Sequence, residues 1–357
     1  MNQNPYLALL HLLPGMTHKR LQRLFEKYYG DWKEVWDICD AKILKELGIK
    51  DDQIEKALHK KETISPAVME KYLKEKEIFL ITQKDPLYPG IFLETNPAPF
   101  LLYLRGNKKL LESSNNFAIV GTRKMTVYGT QIIDAFLPDL LNVDLSIVSG
   151  LAFGVDSYVH KKVLEYGGKT IAVIGSGIDI VYPSSNKKLV EELLKKDGLL
   201  LSEFPLGKMP EPFHFPMRNR IIAALSKGVL VVEAGEKSGA CITAEIAVDL
   251  GKEVFAVPGN IFAPYAVGTN DLLKKGTAHP VTDAKSILEI LGFSVPQSPK
   301  ESTMIEPFLE LFSFLPEEHE NIFSRYEGTV QEFQMELTMM ELSGKIRKVE
   351  GTKWVRT

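Results

Sequence analysis

The chain has 357 residues, of which 45% are hydrophobic and 25% are charged, and its formal net charge is −3. One hydrophobic core rarely organises so long a chain, so we expect one large domain and one or two small ones, folded throughout because no biased tract indicates disorder. Proteins that coat nucleic acid unselectively carry a basic excess. The slightly negative charge therefore argues against that class, and any nucleic-acid site must be local.

The cysteines and the apolar segments indicate a cytoplasmic protein. Neither Cys39 nor Cys241 belongs to a C-x-x-C or C-x-x-H pattern, which fits a reducing compartment and gives no zinc site. The N-terminal segment has no basic n-region. No apolar run approaches the roughly 18 to 20 residues of a membrane span, so we expect none.

Residues 1–80 are predicted to form a small all-helical domain. Apolar side chains recur there at helical spacing, as at Leu21, Leu24, Phe25 and Tyr28. Tight turns at Pro14-Gly15 and Leu47-Gly48 resemble helix-hairpin-helix repeats, whose backbone N–H groups suit a DNA phosphate. A plain helical packing module explains the same residues.

Residues 113–293 are predicted to form a doubly wound α/β domain with a Rossmann-like, mostly parallel sheet. The proline-rich residues 81–112 are predicted to form a connector, with a short strand and a turn at 100–106. Short apolar runs alternate with amphipathic segments, which is typical of a parallel sheet buried on both faces. The expected strands are 117–120, 146–149, 169–174, 199–203, 229–233, 253–257 and a short one near Pro280.

A linker at 294–302, which contains Pro296 and Pro299, precedes a different pattern at 303–357. Three helical stretches are followed by a hairpin around Glu350-Gly351, an order that is typical of a winged-helix-like domain. Basic residues of this hairpin could meet phosphates or a partner, although a solvated charged hairpin explains them equally well. They are Lys345, Arg347, Lys348, Lys353 and Arg356.

The loops after the predicted strands are rich in glycines and hydroxyl groups, and ligands of open parallel sheets bind at such strand ends. The loop after the first strand of this domain carries Gly121, Thr122 and Arg123. Arg123 offers a bidentate fork for a phosphate. The following loops carry Ser149, Gly150, Tyr182, Asn186, Ser238 and Gly239. Together they predict an anion-binding cradle made of backbone N–H groups and helix N-termini.

The segment from Phe213 to Ile222 places aromatic side chains beside Arg218, Asn219 and Arg220 at the start of a helix. Such a helix start suits a phosphodiester backbone, and neighbouring phenylalanines can stack on bases. In the alternative interpretation the phenylalanines belong to the core and the arginines pair with acidic residues, either Glu203 or Glu211.

Several enzyme classes do not fit the sequence. Gly175-Ser176-Gly177 is an incomplete dinucleotide-binding pattern, and no P-loop occurs. Ser149, Asp156 and His160 could be imagined as a hydrolase triad, but Ser149 lacks the G-x-S-x-G turn. No pattern with metal-ligand spacing is present. We therefore expect neither catalytic activity nor a cofactor.

The order and spacing of a series of short segments resemble the DprA/Smf family, from about Asp85 to Gly292. These segments are VGTR, SGLAFGVD, GSGIDIVYP, SEFPLG, FPMRNRII, VVEA, SGACITA, VFAVPG and GTNDLL. The resemblance implies sequence-independent binding of single-stranded DNA during natural transformation, its delivery to a RecA-type recombinase, and homodimerisation through the Rossmann-like domain. It also implies a phosphate-gripping pocket at Gly121, Thr122, Arg123, Ser149, Gly150, Asn219, Arg220, Ser238 and Gly239.

Two positions depart from the family pattern. Phe153 and Met217 stand where family members often carry basic residues, so one or two phosphate contacts are expected to be missing. The alternative function is that of a LOG-like nucleotide phosphoribohydrolase, in which Glu245 would mimic the glutamate that follows a glycine turn. The P-G-G-x-G-T-x-x-E pattern typical of that class is replaced by Glu233-Ala-Gly-Glu-Lys-Ser-Gly.

Overall fold

The computed structural model describes residues 4–294, 307–349 and 351–356. The chain forms two compact units, Met1–Phe293 and Ser294–Thr357. Residues 295–302 of the expected linker and Glu350 of the expected hairpin turn lie outside the described residues. No helix of the described part is long and apolar enough to cross a membrane.

The first unit begins with six helices, in agreement with the helical spacing of the sequence. They are α1 (Asn4–Leu12), α2 (His18–Tyr28), α3 (Trp32–Ile38), α4 (Ala41–Glu46), α5 (Asp51–Thr63) and α6 (Pro66–Glu75). Side chains of Thr17, Asp31, Asp40 and Ser65 accept hydrogen bonds from the first turns of α2, α3, α4 and α6, which satisfies N–H groups that helices leave unpaired. Each of these helices therefore begins at a polar capping residue.

The two glycine turns of this region face one side chain. Arg20 donates hydrogen bonds to the carbonyl oxygens of Gly15, Leu47 and Gly48. Arg20 thus ties the two turns together. Buried leucines of α1 and α2 also share one hydrophobic cluster with Leu101 and Tyr103, so the helices pack against the sheet.

A nine-stranded sheet forms the centre of the first unit, with the order β1-β2-β6-β5-β4-β3-β7-β8-β9. The strands are β1 (Phe79–Thr82), β2 (Leu101–Gly106), β3 (Asn116–Val120), β4 (Ser146–Ser149), β5 (Thr170–Val173), β6 (Leu199–Ser202), β7 (Gly228–Val231), β8 (Glu253–Ala256) and β9 (His279–Pro280). Strands β3 to β9 pair in parallel, as predicted. The segment expected as a connector contains the predicted short strand as β2, which pairs antiparallel with β6. It also supplies half of β1, which the sequence does not predict.

Helices connect the parallel strands. They are α7 (Val127–Asn142), α8 (Val155–Glu165), α9 (Lys187–Lys195), α10 (His214–Leu225), α11 (Gly239–Asp249), α12 (Val267–Lys274) and α13 (Ala284–Ile290). The chain winds outward from β3 to β6 on one side and from β7 to β9 on the other. The loops that follow β3 and β7 consequently diverge, and such a topological switch point opens a crevice at the carboxyl ends of the strands.

The second unit contains β10 (Glu317–Glu318), α14 (His319–Phe323), α15 (Val330–Leu342), β11 (Ile346–Lys348) and β12 (Lys353–Arg356). Its three strands form an antiparallel sheet in the order β10-β12-β11. The core includes Phe308, Ile322, Phe333, Leu337 and Trp354. The expected hairpin is thus present as β11 and β12, and α15 covers the sheet through the residues it buries.

Candidate nucleic-acid interface

A cavity of about 790 Å³ lies at the carboxyl ends of the strands. It is bordered by the loops after β3, β4, β5 and β7 and by the first turns of α10 and α11. We call it the strand-end cavity. Nine of the predicted site residues line it or its small neighbouring pocket: Gly121, Thr122, Arg123, Gly150, Tyr182, Arg218, Asn219, Ser238 and Gly239.

Backbone contacts hold the loop after β3 in place. The Thr122 N–H donates to the carbonyl oxygen of Glu233 at 2.7 Å, and the Val155 N–H donates to the carbonyl oxygen of Thr122 at 3.2 Å. A Cβ atom on Gly121 would lie 2.6 Å from Cγ2 of Val155, so only glycine fits there without displacement. Arg123 follows with an exposed side chain.

Glu233, two residues after β7, also fixes the far end of this loop. Its buried carboxylate accepts hydrogen bonds from the N–H of Thr126 at 2.9 Å and from the hydroxyl of Thr126 at 2.5 Å. Thr126 stands at the N-cap of α7. A carboxylate at a helix N-terminus is favourable because of the helix dipole. The loop that carries Arg123 is therefore held at both ends by one residue.

Arg218 lines the cavity, but its guanidinium already forms hydrogen bonds within the protein. Its side chain is buried, and Nη1 donates to the carbonyl oxygens of Gly150 and Val173. Burial lowers the pKa of Arg218 to about 10, while the nearby Asp156 carboxylate opposes this effect. Burial likewise raises the pKa of Asp156, which Arg218 opposes. Arg218 thus remains a cation at neutral pH and adds positive potential beneath the cavity.

Asn219, Ser238 and Gly239 join the starts of two helices. Nδ2 of Asn219, on α10, donates to the carbonyl oxygen of Gly239 at 3.1 Å. The Ser238 hydroxyl caps α11 by accepting from the N–H of Ala240 at 3.3 Å. Both helix N-termini therefore border the same cavity, where their partial positive charges favour an anion.

Aromatic rings and Arg123 form one exposed edge of the cavity. The guanidinium carbon of Arg123 lies 4.9 Å from the ring centroid of Phe215, and that ring lies 5.9 Å from the ring of Tyr182. Tyr182 is 44% exposed. Phe213 is exposed too, but its ring packs edge-on against His214 at 4.5 Å, and it does not line the cavity.

Three predicted site residues have structural contacts instead. The Ser149 hydroxyl is fully buried and donates to the carbonyl oxygen of Ile119 at 2.7 Å. Nδ2 of Asn186 donates to the carbonyl oxygen of Leu151 at 3.0 Å. Both side chains hold strand-end loops together. Neither lines the strand-end cavity.

Arg220 is the third of these residues and the clearest correction. Its guanidinium forms a two-pronged, buried ion pair with the Glu203 carboxylate, with both N–O distances at 2.6 Å. Its Nε also donates to the carbonyl oxygen of Pro97 at 2.8 Å. The alternative interpretation, in which an arginine of this segment pairs with Glu203, is correct for Arg220, and its side chain is not available to a phosphate.

Some residues around the cavity were missed by the sequence analysis. The ring of Tyr265 lines it from the segment before α12, and Thr243 lines it from the second turn of α11. Gly154 has a φ of 75°, and a Cβ atom there would lie 2.3 Å from the carbonyl oxygen of Thr122. The signal for Gly154 was its place in SGLAFGVD, directly before a helix.

The imagined catalytic groups Ser149, Asp156 and His160 are neighbours, but all three are buried. Nδ1 of His160 is 2.7 Å from the hydroxyl of Thr170, while the Ser149 hydroxyl is bonded elsewhere. Burial lowers the pKa of His160 to about 3. Glu245, proposed for the LOG-like alternative, is exposed on α11 and does not line the cavity. Among residues 4–294, 307–349 and 351–356, no group of three or more His, Cys, Asp or Glu side chains could hold a metal ion.

The topology and the strand-end cavity define a doubly wound α/β protein with a ligand crevice at its switch point. Residues 79–292 match the model of DNA recombination-mediator protein A. The chain belongs to this family, as the resemblance to DprA/Smf predicted.

Curated relatives and solved structures agree with this assignment. The chain is 35% identical to Protein Smf of Escherichia coli (strain K12) over 90% of this chain and 91% of that protein. It is 43% identical to the DNA processing protein DprA of Streptococcus pneumoniae (strain ATCC BAA-255 / R6) over 58% and 73%, respectively. The X-ray structure of DprA from Streptococcus pneumoniae matches with a TM-score of 0.67 at 34% identity, covering 81% of this chain and 98% of that one.

DNA processing protein A from Helicobacter pylori matches with a TM-score of 0.54 at 32% identity, covering 59% of this chain and 95% of that one. That structure was described for its single-stranded DNA binding mode.

Proposed function

We propose that this protein binds single-stranded DNA, independently of sequence, in the strand-end cavity and passes it to a RecA-type recombinase. The single observation that carries the proposal is the exposed Arg123, held on a fixed loop beside two helix N-termini in a family of DNA recombination mediators. The single-stranded DNA binding of the Helicobacter pylori relative supports the choice of ligand.

In the proposed grip, a phosphate lies between Arg123 and the first turn of α11, where Ser238 and Gly239 border the cavity. Arg123 supplies a mobile charge, and the helix N-terminus supplies backbone N–H groups. Arg218 contributes potential from below without direct contact, because its side chain is buried and Nη1 already binds two carbonyl oxygens. None of these groups distinguishes one base from another, so the grip is indifferent to sequence.

The aromatic edge explains a preference for single strands. Phe215 and Tyr182 present ring surfaces beside the phosphate position, and base stacking on such rings is worth about 1–3 kcal/mol per base. Bases of a duplex are already stacked and paired. A duplex would have to open before it could use these rings, so single strands bind more tightly.

Self-association and the segments that flank the cavity would add to the binding of DNA. Homodimerisation would place two cavities along one strand and raise avidity. Residues 1–80 would act as a helical accessory module, 81–112 as the edge of the DNA-binding domain at 113–293, and residues 303–357 as a winged-helix-like module after the linker. The cytoplasm, where single strands and recombinase meet, would be the site of action.

The test is fluorescence anisotropy of labelled oligo-dT at several salt concentrations, with Arg123→Ala and the matched control Arg23→Ala. Arg23 is exposed on α2, away from the strand-end cavity. Each phosphate contact contributes ~0.7 to the slope of log K against log salt for single strands. Arg123→Ala should weaken binding and lower the slope by about that amount, whereas Arg23→Ala should leave the slope unchanged. If the salt slopes of the two variants were equal, Arg123 would not be a phosphate contact.

A further inference from the structure

Helix α15, in the second unit, presents apolar side chains on two opposite sides. One side buries Phe333, Leu337 and Met340 in the core. On the other side Met335 is 66% exposed, Met339 64% and Leu342 79%. A spacing of four and then three residues puts these side chains on one line along the helix. We call Met335, Met339 and Leu342 the methionine stripe.

The charge of this helix is unsuited to DNA. Within Val330–Leu342 the charged residues are Glu332, Glu336 and Glu341, and there is no lysine or arginine. At about 100° per residue, Glu332 and Glu336 fall along one border of the methionine stripe, while Glu341 lies about 100° from Leu342, nearer the buried side of the helix. A helix laid into a DNA groove would bring these carboxylates against phosphates, and phosphate contacts supply most of the affinity for DNA.

The exposed side of α15 therefore has a distinct chemistry from the neighbouring basic hairpin of β11 and β12. Methionine side chains are flexible and polarisable, and they are frequent on surfaces that accept partner helices. Exposed apolar stripes bordered by charge mark protein interaction sites in soluble proteins. A second copy of the same helix would place glutamates against glutamates, which is unfavourable.

We propose that the methionine stripe docks an amphipathic helix of a partner protein, whose apolar side chains repeat every three to four residues and are bordered by lysine or arginine. The apolar faces exclude water from each other, and the partner's cations meet Glu332 and Glu336. This is helix-to-helix recognition through anchors at positions i, i+4 and i+7. Helix α15 would therefore bind protein, and DNA would bind at other surfaces.

The first experiment uses NMR of the full chain labelled with ¹³C-methyl methionine, which reports all ten methionines. The probe is an 18-residue synthetic peptide with a leucine stripe bordered by lysines, and the control peptide carries glutamates in place of the lysines. The lysine peptide should shift the methyl signals of Met335 and Met339 and leave Met209 unchanged. Met209 is the matched control because it is 62% exposed in the first unit.

The second experiment measures affinity for the labelled lysine peptide. The triple variant Met335→Ser, Met339→Ser, Leu342→Ser should bind at least tenfold more weakly, whereas Val68→Ser, which alters a 64% exposed residue on α6, should bind like the wild type. The double variant Glu332→Lys, Glu336→Lys should reverse the charge preference and select the glutamate peptide. This gain of binding cannot come from misfolding.

Three results would overturn the proposal. If the wild type bound both peptides equally well, the glutamates beside the methionine stripe would not select a basic partner. Shifts of the Met335 and Met339 methyl signals by duplex DNA would assign α15 to DNA. A sedimentation mass above one chain that falls in the triple serine variant would assign the methionine stripe to a second copy.

Discussion

Replacing Arg220 by methionine should damage the fold and leave the DNA grip in place. Arg220 and Glu203 are both buried, with side chains 6% and 1% exposed. Removing the cation leaves the Glu203 carboxylate without its ionic partner inside the protein, which costs about 3–5 kcal/mol. A large domain loses roughly 2 °C of Tm per kcal/mol, so we expect the Tm of the first unit to fall by ~6–10 °C.

The assay pairs calorimetric unfolding with the oligo-dT titration. The double variant Arg220→Met, Glu203→Gln should recover much of the lost Tm, because a neutral side chain replaces the isolated charge. The salt slope of either variant, measured well below its Tm, should equal that of the wild type. If Arg220→Met unfolded like the wild type but lost ~0.7 of the slope, Arg220 would be a DNA contact and the ion pair would not be structural.

Three further variants separate fold from binding. Burial lowers the pKa of His160 from 6.5 to about 3, so below pH 6.5 the unfolded chain takes up a proton that the folded chain excludes, and stability falls by about 1.4 kcal/mol per pH unit. His160→Asn should therefore lose less Tm than the wild type between pH 7 and 5, in contrast to His59→Asn on the surface; parallel curves would contradict this. Ser149→Ala should cost about 1 kcal/mol in urea unfolding and leave oligo-dT affinity unchanged, and the reverse outcome would return Ser149 to the site. Gly154→Ala should cost about 1–3 kcal/mol and weaken oligo-dT binding through displacement of Thr122, so unchanged affinity would show that this loop does not position the grip.

The sequence predicts the parallel sheet well because its strands carry a direct signal. Strands β3 to β8 are short apolar runs buried on both faces, and each is followed by glycines or hydroxyl residues and then a helix. Strands β1 and β2 carry a weaker signal, since prolines separate them and they pair antiparallel at an edge. The apolar run at 100–106 predicts the strand β2, but only its pairing with β6 shows that it belongs to the same sheet.

The side chains of α10 show where prediction of the candidate site reaches its limit. Arg218 and Arg220 are two residues apart, which places them about 200° apart around the helix. Both cannot face one cavity, but the sequence does not say which one does. The structure directs Arg218 toward the carbonyl oxygens beside the cavity and Arg220 toward Glu203. The groups that fix each arginine are far away in the sequence, and only the fold brings them next to α10.

The same ion pair connects the helical N-terminal region to the proposed DNA grip. Nδ1 of His18 accepts hydrogen bonds from the N–H groups of Phe100 and Leu101, so its proton lies on Nε2, which donates to the carbonyl oxygen of Glu203 at 2.9 Å. Burial lowers the pKa of His18, and the neutral ring suits this arrangement. Glu203 in turn anchors Arg220 and with it the first turns of α10. The helix that borders the strand-end cavity is thus held from behind by a contact that begins in α2, and the N-terminal helices form part of its support.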